Sequence, residues 1–393
     1  MTETSAPPML RTGLVLGLLS TLGPLSIDLY LPAFPTMARD LGGSAADVQR
    51  SLSIFLLALA AAQIPWGSLG DRFGRKRPLY LGLALFVLGS AGCAMARDPQ
   101  MLIAMRFVQG FGICAGTAVS RAMIRDLYSG HQAARMMALS FLVIGLSPVL
   151  APLLGSFFLK AAGWRAMFWL LGTLGLAAML LAATMLPESL PREKRLSIHP
   201  RALLSAYAAL LGNGRYMAAA MVAGLATTTP YAFVTAAPFL FAQGYGLSPT
   251  AYGVLLGVAA FCSIGATQFS PNLMRASGPE RHLALTTGGG IAVAALLVAL
   301  ALGGAAPLAA VQGLLMLLFV LVGLTLTPAA VTALDAAPAA GAGAAMLGTV
   351  QLVVTALASA AISLFPAGAL LPLALLLFVT WLLAALCARR AFA

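Results

Sequence analysis

The sequence predicts an all-α membrane protein with twelve transmembrane helices in two six-helix bundles. Three observations carry that expectation. The 393 residues are 61% hydrophobic and only 9% charged, with a mean hydropathy of +0.95. A soluble domain is about 45–50% apolar and roughly 25% charged. The apolar residues form long runs, which point to helices rather than a β-barrel. The basic residues fall in the short breaks between those runs, which is a topological signal of membrane insertion.

Taken in order, the runs give spans at 10–33, 48–69, 78–96, 100–122, 135–159 and 165–186 in the first half. The second half gives 216–242, 249–270, 282–303, 307–333, 342–365 and 370–388. Each is roughly 19–27 residues long, near the length that crosses a bilayer. Residues 1–9 are polar and contain no basic stretch ahead of a short apolar core. The first run is therefore read as a retained helix rather than a cleaved signal. With the N-terminus inside, sixteen Lys and Arg residues fall on the inner side and five on the outer. Arg106 and Arg121 lie within the fourth span. The positive-inside rule favours this orientation and an even number of spans, with both termini cytoplasmic. The same distribution argues against nucleic acid as the partner of the +12 formal charge.

The longest polar stretch, PESLPREKRLSIHPRALLSAYAALLGNGR, runs from Pro187 to Arg215. It divides the chain into a bundle over 1–186, a cytoplasmic linker over 187–215 and a bundle over 216–393. Its Ala202–Leu211 part has the character of an amphipathic interfacial helix. The four cysteines, Cys93, Cys114, Cys262 and Cys387, lie in or at the ends of apolar runs and form no CxxC pair. They read as small apolar residues, with no disulfide or metal implied.

Of eleven acids, Asp28 alone is placed at membrane depth, in LGPLSIDLYLPAFP. His131, His199 and His282 are all assigned to inner loops. A carboxylate in hydrocarbon is costly and usually functional. Span 4 carries a second buried charge, Arg106, in RFVQGFGICAG. At 1.5 Å per residue, Asp28 lies roughly 8 Å and Arg106 roughly 9 Å from the outer ends of their helices, so the two could meet. Either they form a static ion pair, or opposed desolvation and charge pairing leave Asp28 able to exchange a proton. Arg106 could also snorkel to a helix end.

Four motifs resemble those of the major facilitator superfamily. The loop GSLGDRFGRKRPL matches its signature loop at Gly67, Leu69, Asp71, Arg72, Gly74, Arg75, Lys76 and Leu79. In that family the loop acts as a cytoplasmic gate latch, and Arg75 with Asp126 is the candidate pair here. The corresponding loop, QFSPNLMRASGPERHL, keeps Arg275 and Gly278 but lacks the acid. Arg106, Gln109 and Gly110 resemble the family's R-x-x-Q-G pattern. GLSPVLAPLLGS, with Gly145, Pro148, Pro152 and Gly155, resembles the pattern of its antiporter members, although two prolines four apart also simply kink a helix. At finer scale DLYLPAFP, RDLY, APLLG and WRAMF are similar to the Bcr/CflA branch of bacterial drug exporters.

The resemblance implies the major facilitator fold and proton-coupled efflux of small lipophilic drugs, such as phenicol- or bicyclomycin-like antibiotics, from the bacterial inner membrane. It implies Asp28 with Arg106 in proton coupling, and Tyr30, Gln109, Tyr231, Phe233, Phe261 and Gln351 as candidates for the substrate cavity. A lipid-facing or packing role is open for each of these. The alternative is a proton-coupled transporter of a small metabolite with the same fold. A membrane enzyme would need paired intramembrane carboxylates or a metal cluster, and an ATP-driven pump a P-loop; neither pattern occurs in the sequence. The expected protein is therefore a monomer without cofactor, whose partners are a small molecule, protons and lipid.

Overall fold

In the computed structural model, residues 9–128, 132, 136, 147, 150–195, 200–304, 306–337, 340–366 and 368–392 are described, and their regular elements are all helical. The first half contributes α1 (Met9–Asp28), α2 (Phe34–Asp40), α3 (Ala45–Phe73), α4 (Lys76–Ala94), α5 (Pro99–Leu127), α6 (Leu150–Ala162) and α7 (Trp164–Met185). After α8 (Pro200–Gly212) come α9 (Gly214–Phe239), α10 (Pro249–Ser277), α11 (Pro279–Leu302), α12 (Leu308–Asp335), α13 (Ala340–Ile362) and α14 (Leu370–Phe392). Among the described residues, eleven helical segments are long and apolar enough to cross a membrane, and α6 is a shorter apolar helix. Most of the expected fifth span, with Gly145 and Pro148, lies outside the described residues.

Helix starts follow local chemistry. Ser44 and Asp47 form a reciprocal capping box at α3, and Asp98, Asn213 and Ser248 each accept from a backbone N–H three residues on. These side chains satisfy donors that the first turn leaves free. Helices α3 and α4 meet at Gly74 (φ +87°), and α10 and α11 meet at Gly278 (φ +79°). A left-handed residue allows so sharp a reversal, and glycine takes that conformation without penalty. The second loop thus keeps the turn of the first while lacking its acid. Several helices run past the expected spans: α3 covers 45–73 rather than 48–69, because polar residues continue the helix beyond the apolar segment. His282, expected in a loop, is buried in the first turn of α11 with Nε2 3.0 Å from the Leu324 carbonyl.

The first expected span is broken. Pro32 cannot offer an N–H to the carbonyl of Asp28, and Pro35 cannot offer one to Leu31. Helix α1 therefore stops at Asp28, passes through a single 3₁₀ turn at Leu31–Ala33, and restarts as α2. Helix α3 packs on α5 and α13, α4 on α5 and α7, and α1 on α5 and α7. Helix α9 packs on α12, α13 and α14, and α11 on α12 and α14. The two groups meet chiefly along α3 and α13, with the break after α1 reaching α9 and α10. Exposed Leu88, Leu180, Phe269 and Leu285 cover the outside of the bundle, as expected of a surface facing lipid.

Candidate functional site

Asp28 is the last residue of α1 and is 6% exposed. It lines a cavity of about 570 Å³ whose other walls come from α9, α10 and α12. The lining is largely apolar, including Ile27, Pro230, Val234, Leu256 and Phe319, with Tyr231 among the few polar side chains. Volume and lining suit a small organic molecule. The hydroxyl of Ser147 faces Asp28 without closing a regular hydrogen bond. Tyr231 and Tyr252 lie within electrostatic reach of the carboxylate, and the buried Tyr252 hydroxyl has no hydrogen-bond partner among the described residues. Helix α6 is held against the α1 break by Gly155, where any Cβ would run into the Leu29 carbonyl oxygen. Pro152, one turn earlier, sits against Gly253 of α10. Those two residues of the antiporter-like motif thus bring α6 between α1 and α10.

Arg106 does not pair with Asp28. It is fully buried, donates from Nη1 to the Ser26 carbonyl (3.1 Å) and to Gln109 Oε1, and from Nη2 to the Tyr30 hydroxyl (3.3 Å). Its guanidinium also lies 4.0 Å from the Phe55 ring centroid and 4.5 Å from that of Tyr30, a distance at which the ring faces attract a cation. The expected meeting fails for a geometric reason. Ser26 and Asp28 are two residues apart, about 200° around a helix, so an arginine beneath Ser26 is on the wrong side of α1. No ion pair joins Asp28 to any cation among the described residues.

At the Gly74 end the signature loop forms a compact network. Arg75 donates from Nε to Asp126 Oδ2 (2.8 Å) and from Nη1 to Asp71 Oδ1 (2.7 Å), and Ser189 Oγ donates to Asp126 Oδ2 (2.9 Å). Burial alone would lower the Arg75 pKa, but these acids more than offset it and hold the pKa above its ordinary value. Glu188, which the sequence places only in a loop, accepts from the Arg75 and Lys76 backbone N–H groups and so caps α4. Lys76 Nζ in turn donates to the Ala183 and Leu186 carbonyls at the end of α7. Gly67 and Asp71 line a second cavity at this end, and Arg72 lies over the Phe73 ring. A carboxylate twenty residues beyond WRAMF, the nearest motif, carries no local signal, so Glu188 had no signature by which to be found.

The opposite end is joined differently. Gln49 Nε2 of α3 donates to the Thr235 carbonyl of α9 (3.0 Å). Ser53 Oγ donates to Ser359 Oγ of α13 (2.9 Å), which lies 2.8 Å from Thr235 Oγ1. All four residues are buried. This polar clasp crosses between the two helix groups and contains no charge.

The expected cavity residues divide. Tyr231 lines the Asp28 cavity. Tyr30 does not: it is fully buried against Phe34 and Phe168 because the helix break turns it toward Arg106. Gln109 is occupied by Arg106 and Ser90 inside the first helix group. Phe233 packs edge-on against Phe241 and Phe319 in the core. Phe261 is 73% exposed on the outer face of α10. Gln351 is half-buried on α13, where its Cα backs Gly224, and it lines neither described cavity.

An all-helical, multi-pass membrane fold with a cavity reaching a buried carboxylate defines a small-molecule transporter rather than an enzyme. The sequence profile of the Major Facilitator Superfamily matches residues 16–366, and the chain belongs to that family. It is 35% identical over 260 residues to the uncharacterized MFS-type transporter YdgK of Bacillus subtilis, covering 66% of this chain and 65% of that protein. It is 31% identical over 270 residues to a bicyclomycin resistance protein homolog of Haemophilus influenzae, covering 69% and 68%. It is 29% identical over 248 residues to the multidrug resistance protein MdtL of Escherichia coli, covering 63% and 62%. The aligned part thus spans about two thirds of each relative. In fold, the chain superposes on a D-xylose-proton symporter with a TM-score of 0.74 at 16% identity, over 98% of this chain and 97% of that one.

Proposed function

We propose that this transporter exports small lipophilic drugs in exchange for protons, from a bacterial cytoplasmic membrane, with the Gly74 end and both termini on the cytoplasmic side. The observation that carries the reading is the placement of Asp28: a carboxylate with no counter-cation among the described residues, in the wall of a largely apolar cavity. Such a group is cheapest to bury when it carries a proton. A drug entering the cavity from one side, and water from the other, changes the carboxylate's surroundings and so its hold on the proton. The relatives named for bicyclomycin and multidrug resistance support drugs as the cargo. The few polar side chains around the cavity support a lipophilic molecule over a sugar-like one.

The energetics suffice without a cofactor. One charge moving through the potential contributes about 2.3 kcal/mol per 100 mV, and each unit of pH difference adds about 1.4 kcal/mol. Together they sustain a drug gradient of several hundredfold. The Arg75–Asp126–Asp71 network acts as the cytoplasmic latch, and the Gln49–Thr235 and Ser53–Ser359 clasp holds the outer side closed.

The test is growth of an efflux-deficient bacterium on a panel of antibiotics and lipophilic dyes, with the unmodified chain or Asp28→Asn at matched membrane levels. Resistance from the unmodified chain that disappears with Asp28→Asn is expected. Resistance that survives the substitution removes Asp28 as the proton carrier. Absence of resistance to every compound overturns drug export.

A further inference from the structure

The cavity at the Gly74 end has a volume of about 420 Å³ and lies between α3, α5, α8 and α13. Ile64, Trp66, Val119 and Ala122 supply apolar wall, and Tyr207 of α8 faces in from the linker. Its charges are unevenly matched. Arg75 is neutralised by Asp71 and Asp126. Arg121 and Arg125, one helical turn apart on α5, both reach the cavity, and neither forms an ion pair or hydrogen bond with a described residue. Ten of the eleven acids lie among the described residues, and none of those ten forms an ion pair with either arginine. Asp71, the one acid among the described lining residues, is held by Arg75.

Like charges at this spacing repel, and an anion between them converts that repulsion into attraction. A guanidinium is a planar fork of donors suited to phosphate and carboxylate oxygens. The neighbouring Trp66 and aliphatic side chains suit an apolar body attached to that anion. We propose that this cavity binds the anionic headgroup of an amphiphile, a phosphate or carboxylate on an apolar body, with Arg121 and Arg125 as its ligands. The site is separate from the Asp28 cavity and does not depend on what the protein exports.

The test is calorimetric titration of the purified full chain in uncharged maltoside micelles. The probes are hexyl phosphate and dihexanoyl phosphatidylglycerol, with hexanol and dihexanoyl phosphatidylcholine as their uncharged or zwitterionic counterparts. Each anionic probe is expected to bind at least tenfold tighter than its counterpart, and more weakly as salt rises. The preference should fall at least tenfold in Arg121→Gln/Arg125→Gln and persist in part in Arg121→Lys/Arg125→Lys. Tighter binding of phosphatidylglycerol assigns a lipid headgroup as the source, and tighter binding of hexyl phosphate a soluble anion. Equal affinity for charged and uncharged probes, or a preference unchanged in the Gln variant, overturns the site. If the Gln variant does not fold, the probe preference and salt dependence of the unmodified chain decide. Because the titration reads binding alone, its failure leaves the export reading untouched.

Discussion

The two ends of the molecule are held by different chemistry. At the Gly74 end, Arg75, Asp71, Asp126, Ser189 and Glu188 form a charged network within the first helix group and the segment that follows it. At the opposite end, Gln49, Ser53, Thr235 and Ser359 form a neutral network between the two groups. The difference follows from burial. Asp71 is 44% exposed, so solvent can reach the charges, whereas the clasp is sealed in a helix seam where an ion would be costly. The charged network fixes helices within one group, and the neutral one sets the separation of the two groups. A clasp of neutral hydrogen bonds, each worth about 1 kcal/mol, is weak enough to open during a transport cycle.

Five substitutions break or sharpen that contrast. The largest effect is expected at the pivot between the ends. Gly155→Ala forces a methyl group onto the Leu29 carbonyl, backbone against backbone, and should destabilise by about 3 kcal/mol. A melting midpoint in detergent equal to that of the unmodified chain would mean that α6 is not wedged there. Next comes the charged end. Asp126→Asn weakens the Arg75 bonds and should cost about 2 kcal/mol. The more exposed Asp71→Asn should cost about 0.5 kcal/mol, being screened. Equal effects of the two would show that burial does not set their weight.

At the neutral end, Ser359→Ala removes the central hydroxyl and should cost the clasped state about 1 kcal/mol, a roughly fivefold shift in population toward its opening. Distances between spin labels on the ends of α3 and α9 would report this, and an unchanged distribution would remove the clasp as a gate. The smallest effect is expected from Phe261→Ala. That ring is 73% exposed, so stability and resistance profile should change little, by less than about 0.5 kcal/mol. A changed drug range would return Phe261 to the cavity.

The sequence by itself determined the fold class, because long apolar runs without water to satisfy the backbone leave helices as the available structure. It also offered Arg75 of the signature loop and Asp126 at the inner end of the fourth span as a candidate pair, and the structure brings those two side chains within 2.8 Å. It singled out Asp28 through the cost of a charge at that depth. What it could not determine was direction around a helix and reach across the chain. Depth along the axis matched Asp28 to Arg106, yet their faces diverge, and Arg106 found a carbonyl, an amide and two aromatic rings instead. Tyr30 and Phe233 looked like cavity aromatics by span, and packing buried both in the core. Ser359, Thr235 and Gln49 are ordinary polar residues 124 to 310 positions apart, and only the meeting of α3, α9 and α13 makes them a unit. Local chemistry is written along the chain, whereas a shared site between distant helices exists only once side-chain packing has fixed which faces meet.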